Sequence, residues 1–398
     1  MDTIKKKIKE LAKEYFQDIV AVRREIHAIP ELSFEEFKTS EYLSSKLRAY
    51  NIPFKKGIAK TGIVGLIEGK NPDSKNVALR ADMDALPVLE RNDVEYKSVN
   101  HGVMHACGHD VHMACLLGTA RILNSLKDYF EGSVKLIFQP SEEKYPGGAK
   151  VMIEEGVLKN PKPEAIFGQH VCPELDVGKV GVKSGVYMAS TDEIYLTVKG
   201  KGGHAAMPDM VVDPVLIASH IIISLQQIVS RHAKPTVPTV VSFGKICSEG
   251  MTNVIPDIVK IEGIIRTFDE GWRNEVKQRI TKIARLTAEG MGGSCEVVID
   301  KGYPYLVNDK ILTERTISYA MDYLGKENVV DLDKRMTAED FAYYAQIIPG
   351  CYYRLGIRNI PAGIDSNLHS STFDVDEKSL ETGMGLMAWI AFSELINK

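Results

Sequence analysis

Glu142 and Glu143 stand side by side just past the apolar run at 134–138, after Gln139-Pro-Ser141. Adjacent acids usually mark a solvated loop. Just past a buried strand, however, two carboxylates can aim at one water from two sides. One holds a metal, and the other serves as general base for the water and returns the proton to a leaving amine. The segment His105-Ala-Cys-Gly-His-Asp-Val-His112 offers softer donors. Cys107 and His109 lie two apart on a glycine-containing turn at a helix start, where a thiolate and an imidazole face one point. The helix N-terminus is expected to favour the thiolate. His170, beyond a strand expected to end at Phe167, and the late His369 complete the set with Glu143. One sulfur, one oxygen and three nitrogens suit zinc or another late first-row divalent ion. Five donors exceed the need of one tetrahedral zinc, so two metals sharing Cys107 is the natural reading.

The other polar residues carry plainer readings. His112 imitates a ligand partner of His109 but reads as packing in the helix or supporting the ligands. His105 either orients the loop or is simple turn structure. Cys115, Cys172, Cys247, Cys295 and Cys351, with His27, His101, His220 and His232, read as structural. The glycine-rich run from Gly200 to Gly203 lacks the Lys-Ser/Thr ending of a phosphate loop. A Cys107 nucleophile with histidine and glutamate partners is a rival chemistry, and a binding protein on a retired hydrolase scaffold is a rival outside enzymology.

These residues sit where an α/β sheet binds ligands. Asp82 and Asp84 follow the strand expected at 76–80, and Glu142 and Glu143 follow that at 134–138. Open α/β sheets take ligands at the carboxyl ends of their strands. Apolar residues at 4, 8, 11, 15, 19, 22 and 26 put one face of a first helix inward, stopped at Pro30. A second helix is expected at 33–50, with Phe34, Phe37, Tyr42, Leu43 and Leu47 buried. Strands at 62–68, 76–80, 134–138 and 164–167, with a helix at 109–126, predict a mostly parallel or mixed sheet covered by helices. Residues 193–199 alternate apolar and polar. A helix at 214–232, strands at 239–243 and 259–265, a helix around 276–286 and a strand at 295–299 then give β-α-β-β-α-β, a ferredoxin-like insertion. The expected boundaries are 186–299 for the insertion, with 1–185 and 300–398 forming the catalytic domain. Helices near 309–324, 337–347 and 377–397 close the chain.

Composition narrows the class. The 398 residues are 44% hydrophobic and 26% charged, as in globular domains, and bury a large core. A formal charge of −4 argues against nucleic acid or an anionic membrane surface as partner. No run of eighteen apolar residues suggests a spanning helix. Six cysteines are too sparse for a disulfide scaffold, and a cytoplasmic enzyme is expected.

Together, Arg24-Glu-Ile-His-Ala-Ile-Pro-Glu31, Arg80-Ala-Asp-Met-Asp-Ala-Leu-Pro87, His105-Ala-Cys-Gly-His-Asp110, Gln139-Pro-Ser-Glu-Glu143, Gly168-Gln-His170, Gly200-Lys-Gly-Gly-His-Ala-Ala-Met-Pro208, Asn253-Val-Ile-Pro256 and Leu368-His369 resemble the M20 metallopeptidases. The likeness is to their amidohydrolase branch of N-acyl-amino-acid amidohydrolases, hippurate hydrolases, thermostable carboxypeptidases and auxin-conjugate hydrolases. It spans essentially the whole chain. It implies an α/β, zinc-exopeptidase-like catalytic domain with a mixed sheet, and an inserted lid and dimerisation domain. It implies Cys107, His109, Glu143, His170 and His369 as ligands of two metals, with zinc expected and manganese, cobalt or nickel as alternatives. It implies Glu142 as the base and His204 as an oxyanion donor, often in the partner subunit's site. Asn253 and Arg266 resemble positions that contact the substrate carboxylate. Where many M20 peptidases carry a ligand histidine and a bridging aspartate, this chain has Asp82 and Cys107, as its branch does. The implied reaction is hydrolysis of N-acetyl or aryl-acyl amino acids by a homodimer. A dipeptidase, a carboxypeptidase or an N-acetyl-diaminopimelate deacetylase is the alternative.

Overall fold

The structure is a computed structural model and describes residues 1–397. The chain divides into two compact units. One comprises Met1–Tyr187, Val307–Asp333 and the chain from Asp340 onward; the other comprises Met188–Leu306 with Lys334–Glu339. The expected insertion overlaps the second unit, which runs on to Leu306 and takes in the short 334–339 segment.

In the first unit, α1 (Asp2–Ala28) buries Ile8, Ala12, Tyr15, Ile19, Val22 and Ile26 on one face. It stops ahead of Pro30, because the residue before a proline disfavours helical backbone. Helix α2 (Phe37–Ala49) starts later than expected. The 33–36 segment forms a turn instead, with Phe34 at φ +63°. Leu43 and Leu47 are buried as expected, but Phe37 is 55% exposed, with the Lys60 ammonium over its ring.

The strands β1 (Phe54–Ile58), β2 (Gly62–Glu68), β3 (Asn76–Asp82), β4 (Ser133–Gln139), β5 (Ala165–Asp176) and β6 (Val180–Val182), with Val329–Asp331 and Gly350–Arg358, make one eight-stranded sheet. Its order is β1-β2-β4-β3-β5, then Gly350–Arg358, β6 and Val329–Asp331. Strands β4, β3, β5 and Gly350–Arg358 run parallel, while β1 and β2 are antiparallel additions at one edge. The sheet is therefore mixed, as expected. Strands β3 and β4 are buried at every residue, which is what helices on both faces impose. Helix α3 (His109–Ser125), α1 and the C-terminal helix Ser379–Ile396 pack together over this core.

Two expectations change here. The strand expected to end at Phe167 runs to Asp176, so His170 lies inside β5 rather than beyond it. Pairing of His170 with Arg354 on the neighbouring parallel strand keeps it extended. The helix expected at 337–347 shrinks to Ala342–Ala345. Just before it, the Asp340 carboxylate is drawn inward onto Arg80, Gln139 and the Ala149 N–H.

The second unit has strands Asp192–Lys199, Thr239–Ser248, Ile258–Thr267 and Ser294–Lys301 and helices Pro214–Leu225 and Glu270–Gly290. The strands are all antiparallel, in the sheet order second, third, first, fourth, the ferredoxin-like arrangement. Asp213 caps the first helix through the Val215 and Leu216 N–H groups, with Pro214 in the first turn. Among the described residues, the stretch Pro214–His232 is the one long and apolar enough to cross a membrane by composition. Here Ile217, Ala218, Ile221, Leu225 and Ile228 of that stretch pack on the sheet instead.

Candidate metal centre

Parallel strands deliver their C-terminal ends to one edge, and the chemistry collects there. Strand β3 ends on Asp82 and leads to Asp84; β4 leads to Glu142 and Glu143. Helix α3 begins at His109, directly after Cys107 and Gly108. Gly108 has φ +80°, and a Cβ there would meet Val171 Cγ2 at 2.5 Å. Only glycine lets the Cys107 turn lie this close to β5.

Two histidines are set by backbone carbonyls. His109 Nδ1 lies 2.8 Å from the Asp84 carbonyl oxygen, and His170 Nδ1 lies 2.7 Å from that of Val171. A carbonyl can only accept, so each Nδ1 carries a proton and Nε2 is the atom each ring offers a metal; on neutral His170 it holds a lone pair, and on His109 a metal would displace its proton. His170 Nε2 lies 3.4 Å from Cys107 Sγ. His109 Nε2 is buried with no hydrogen-bond partner. The donor atoms of Cys107, His109 and His170 lie within 4.8 Å of one another, as do those of Cys107, Glu143 and His369. Cys107 belongs to both triads. The His369 N–H donates to the Ala106 carbonyl at 2.8 Å, and its Nε2 lies 3.4 Å from Glu143 Oε1. Glu142 is buried, and its carboxylate groups with Glu143 and His109.

This donor set is acidic beyond what its own cations offset. Burial, then Glu143, Glu142 and Asp82, push the Cys107 thiol well up. The expected help from the helix N-terminus is outweighed, so a thiolate here needs a cation beside it. Burial opposes charge on His109, but Asp82, Asp84 and Glu143 prevail and raise it to about 10. Burial, with Arg354 and His112, keeps His170 neutral. An orphaned imidazole nitrogen, a second free Nε2, a thiol and a buried carboxylate oxygen on one spot fit a divalent metal pair.

Asp84, Asp82 and His112 are committed to supporting roles. Asp84 accepts from the Glu142 N–H on Oδ1 and from the Glu143 N–H on Oδ2, each at 2.9 Å, and from Ser33 Oγ at 2.6 Å. It thereby fixes the loop that carries both acids. Despite burial, His109 and the Ser33 and Glu143 donors keep it below the usual carboxylate range. Asp82 binds His112 Nδ1 and Arg80 Nη1, both at 2.5 Å. His112 Nε2 accepts the Val171 N–H at 2.9 Å, so His112 has no lone pair left for a metal and supports β5 instead. Both ring nitrogens of His105 are buried without partners, and burial pushes it down to about 3.

Sequence reasoning passed over the cluster behind the Cys107 turn. Buried Arg23 donates to Asp110 at 2.7 Å, and His27 bridges Asp110 and Glu90 at 2.8 and 3.2 Å. A signal was present: Arg23 is a charge within the otherwise apolar face of α1. Glu36, Arg80 and Gln139 were missed as well, and none lies in a pattern that announces burial.

In the second unit, His204 lies in the short strand Gly203–His204, paired with Val254–Ile255. The Ala206 N–H donates to His204 Nδ1 at 3.1 Å, leaving Nε2 free on an exposed side chain. The Ala205 N–H donates to the Asn253 carbonyl at 3.0 Å, so His204 and Asn253 share one ribbon. Arg266 lies apart from that ribbon, on Ile258–Thr267 opposite Val240. Burial lowers its pKa against the pull of Glu193 and Asp192.

Residues 78–392 match the model of peptidase family M20/M25/M40. The chain is 39% identical to the IAA-amino acid hydrolase ILR1-like 5 of Arabidopsis thaliana, covering 100% of this chain and 92% of that protein. It is 40% identical to an N-acyl-L-amino acid amidohydrolase of Geobacillus stearothermophilus, covering 76% of this chain and 81% of that one. Its fold matches the crystal structure of the Bacillus subtilis YXEP protein, described as a dinuclear metal binding peptidase. The TM-score is 0.81 at 34% identity, over 96% of this chain and 99% of that one.

Proposed function

The chain belongs to the peptidase family M20/M25/M40, a family of metal-dependent hydrolases, and from that premise we propose that it cleaves the amide bond of N-acyl amino acids at a two-metal centre. The observation that carries this is the pair of imidazoles fixed through Nδ1, with their Nε2 atoms gathered around Cys107. The names of the amidohydrolase relatives support the substrate class.

Cys107, His109, Glu143, His170 and His369 would hold the metals, Cys107 being the donor that both triads share. Zinc is the expected ion; manganese, cobalt and nickel tolerate the same donors. Bound there, divalent ions polarise the amide carbonyl and acidify water. Glu142 takes the proton of the attacking water and returns it to the leaving amine. Its N–H bond to Asp84 aims it. His204 donates to the developing oxyanion through its free Nε2, and Asn253 and Arg266 hold the substrate carboxylate. The products are a carboxylate and a free amino acid. The second unit serves as lid and homodimer surface, supported by Leu216 and Ile223, exposed at 52% and 69% on its first helix. The raised thiol of Cys107 speaks against its acting as a nucleophile.

Glu142→Gln tests the assignment. Turnover of N-acyl amino acids should fall by about 10²–10⁴-fold or more while bound metal per chain stays at the wild-type value. Undiminished turnover removes Glu142 from the mechanism.

A further inference from the structure

We propose that Glu36 is a positioning residue for this hydrolytic site, holding the peptide run that carries Glu142 and Glu143; the proposal rests on the two-metal reading above. Glu36 is 0% exposed at the start of α2. Its Oε1 accepts the Ser141 and Phe34 N–H groups, each at 2.9 Å, and its Oε2 accepts Thr61 Oγ–H at 2.6 Å. The next two N–H groups, of Glu142 and Glu143, go to Asp84, which also takes Ser33 Oγ–H. Three successive backbone donors therefore end on two buried carboxylates, and both carboxylates are tied to the 33–36 turn.

Helix capping does not account for Glu36. Its side chain accepts no N–H of α2, so the helix does not depend on it. Ser141 does: it sits at φ +50°, a left-handed conformation that a serine keeps only where its surroundings fix it. The Ser141 N–H bond to Glu36 restrains it one residue before the base, together with the Gly148 N–H on the Ser141 carbonyl at 2.8 Å and the Ser141 Oγ–H on the Lys144 carbonyl at 3.1 Å. Among charged neighbours, Asp84 faces Glu36 from the end of β3 and, with burial, raises its pKa to about 7. Lys60 instead lies over Phe37, and Glu155 accepts the Ala59 N–H. A glutamine can reproduce the local pattern. Its Oε1 can take both N–H groups, and its amide N–H can donate to Thr61 Oγ.

The test uses metal-loaded enzyme, with kcat expressed per metal-loaded site on a saturating N-acyl amino acid. Glu36→Ala should lower kcat on the order of 10²-fold, the cost of misplacing a catalytic group by about 1 Å, with KM and metal content unchanged. Glu36→Gln should recover most of that loss. Thr61→Val, a gentler change that stands in if the alanine variant does not fold, should lower kcat several-fold at constant KM. Wild-type kcat per loaded site in Glu36→Ala or Thr61→Val overturns the proposal, as does a Glu36→Gln enzyme as impaired as the alanine variant. A wild-type enzyme that turns over no N-acyl amino acid sinks the functional reading and this inference with it; a failure confined to the variants sinks this inference alone.

Discussion

Replacing Asp84 by asparagine should separate holding the catalytic loop from holding metal. Each carboxylate oxygen of Asp84 takes one backbone N–H, from Glu142 and from Glu143, and Oδ2 also takes Ser33 Oγ. An asparagine has one oxygen and one NH2. Whichever way its amide turns, one backbone N–H faces a donor. One orientation keeps oxygen on Glu143 and Ser33 and abandons the Glu142 N–H, turning its NH2 also toward His109 Nδ1, 3.3 Å from Oδ1. A buried N–H left without a partner costs about 2 kcal/mol. Expressed at the base, that corresponds to about 30-fold in kcat. The Asp84 carbonyl that orients His109 is backbone and is retained. Loss of the neighbouring charge should still weaken metal binding, within the roughly 10–100-fold typical of groups that support ligands. Steady-state kinetics at saturating metal report the first effect, and competition with a chromophoric chelator reports the second. An Asp84→Asn enzyme with wild-type kcat and wild-type metal affinity refutes the reasoning.

Two further predictions concern stability. Glu36 is raised from 4.5 to about 7 in the folded state, so the folded chain binds the extra proton between those values and the unfolded chain does not. Stability should therefore fall as pH rises from about 4.5 to 7, by on the order of 3 kcal/mol, a slope that Glu36→Gln removes in denaturant titrations; identical pH profiles would exclude the raised acid. Lys135, 2% exposed, donates to the carbonyls of Val157, Lys159 and Pro161. Lys135→Met leaves these buried acceptors to be satisfied otherwise and should cost about 2–4 kcal/mol in thermal or urea unfolding, whereas an unchanged midpoint would show that water reaches the loop.

The grouping of the candidate site's side chains was legible because such chemistry leaves short-range marks. Cys107 and His109 stand two apart on a glycine turn, and the two acids are adjacent after an apolar run. The ferredoxin-like order of the second unit was legible too, since strand alternation and helical periodicity are local patterns. What supports the site was not. The bonds from Asp84 to the Glu142 and Glu143 N–H groups join residues 58 and 59 apart in sequence, and those from Asp340 to Arg80 and Gln139 span 260 and 201. No local periodicity encodes such pairings. Glu36 stands beside Glu35 in sequence, and nothing in that local pattern sets it apart. The helix expected at 337–347 failed for a similar reason: the distant partners of Asp340 govern the chain just before Ala342.

Metal dependence is the central claim, and metal removal tests it most directly. Bound metal per chain and initial rate on an N-acyl amino acid should be followed together while a strong chelator strips the protein. The account predicts that the two fall in step and that adding back a divalent ion restores the rate. Full turnover by metal-free protein would contradict it and return Cys107 to consideration as a nucleophile.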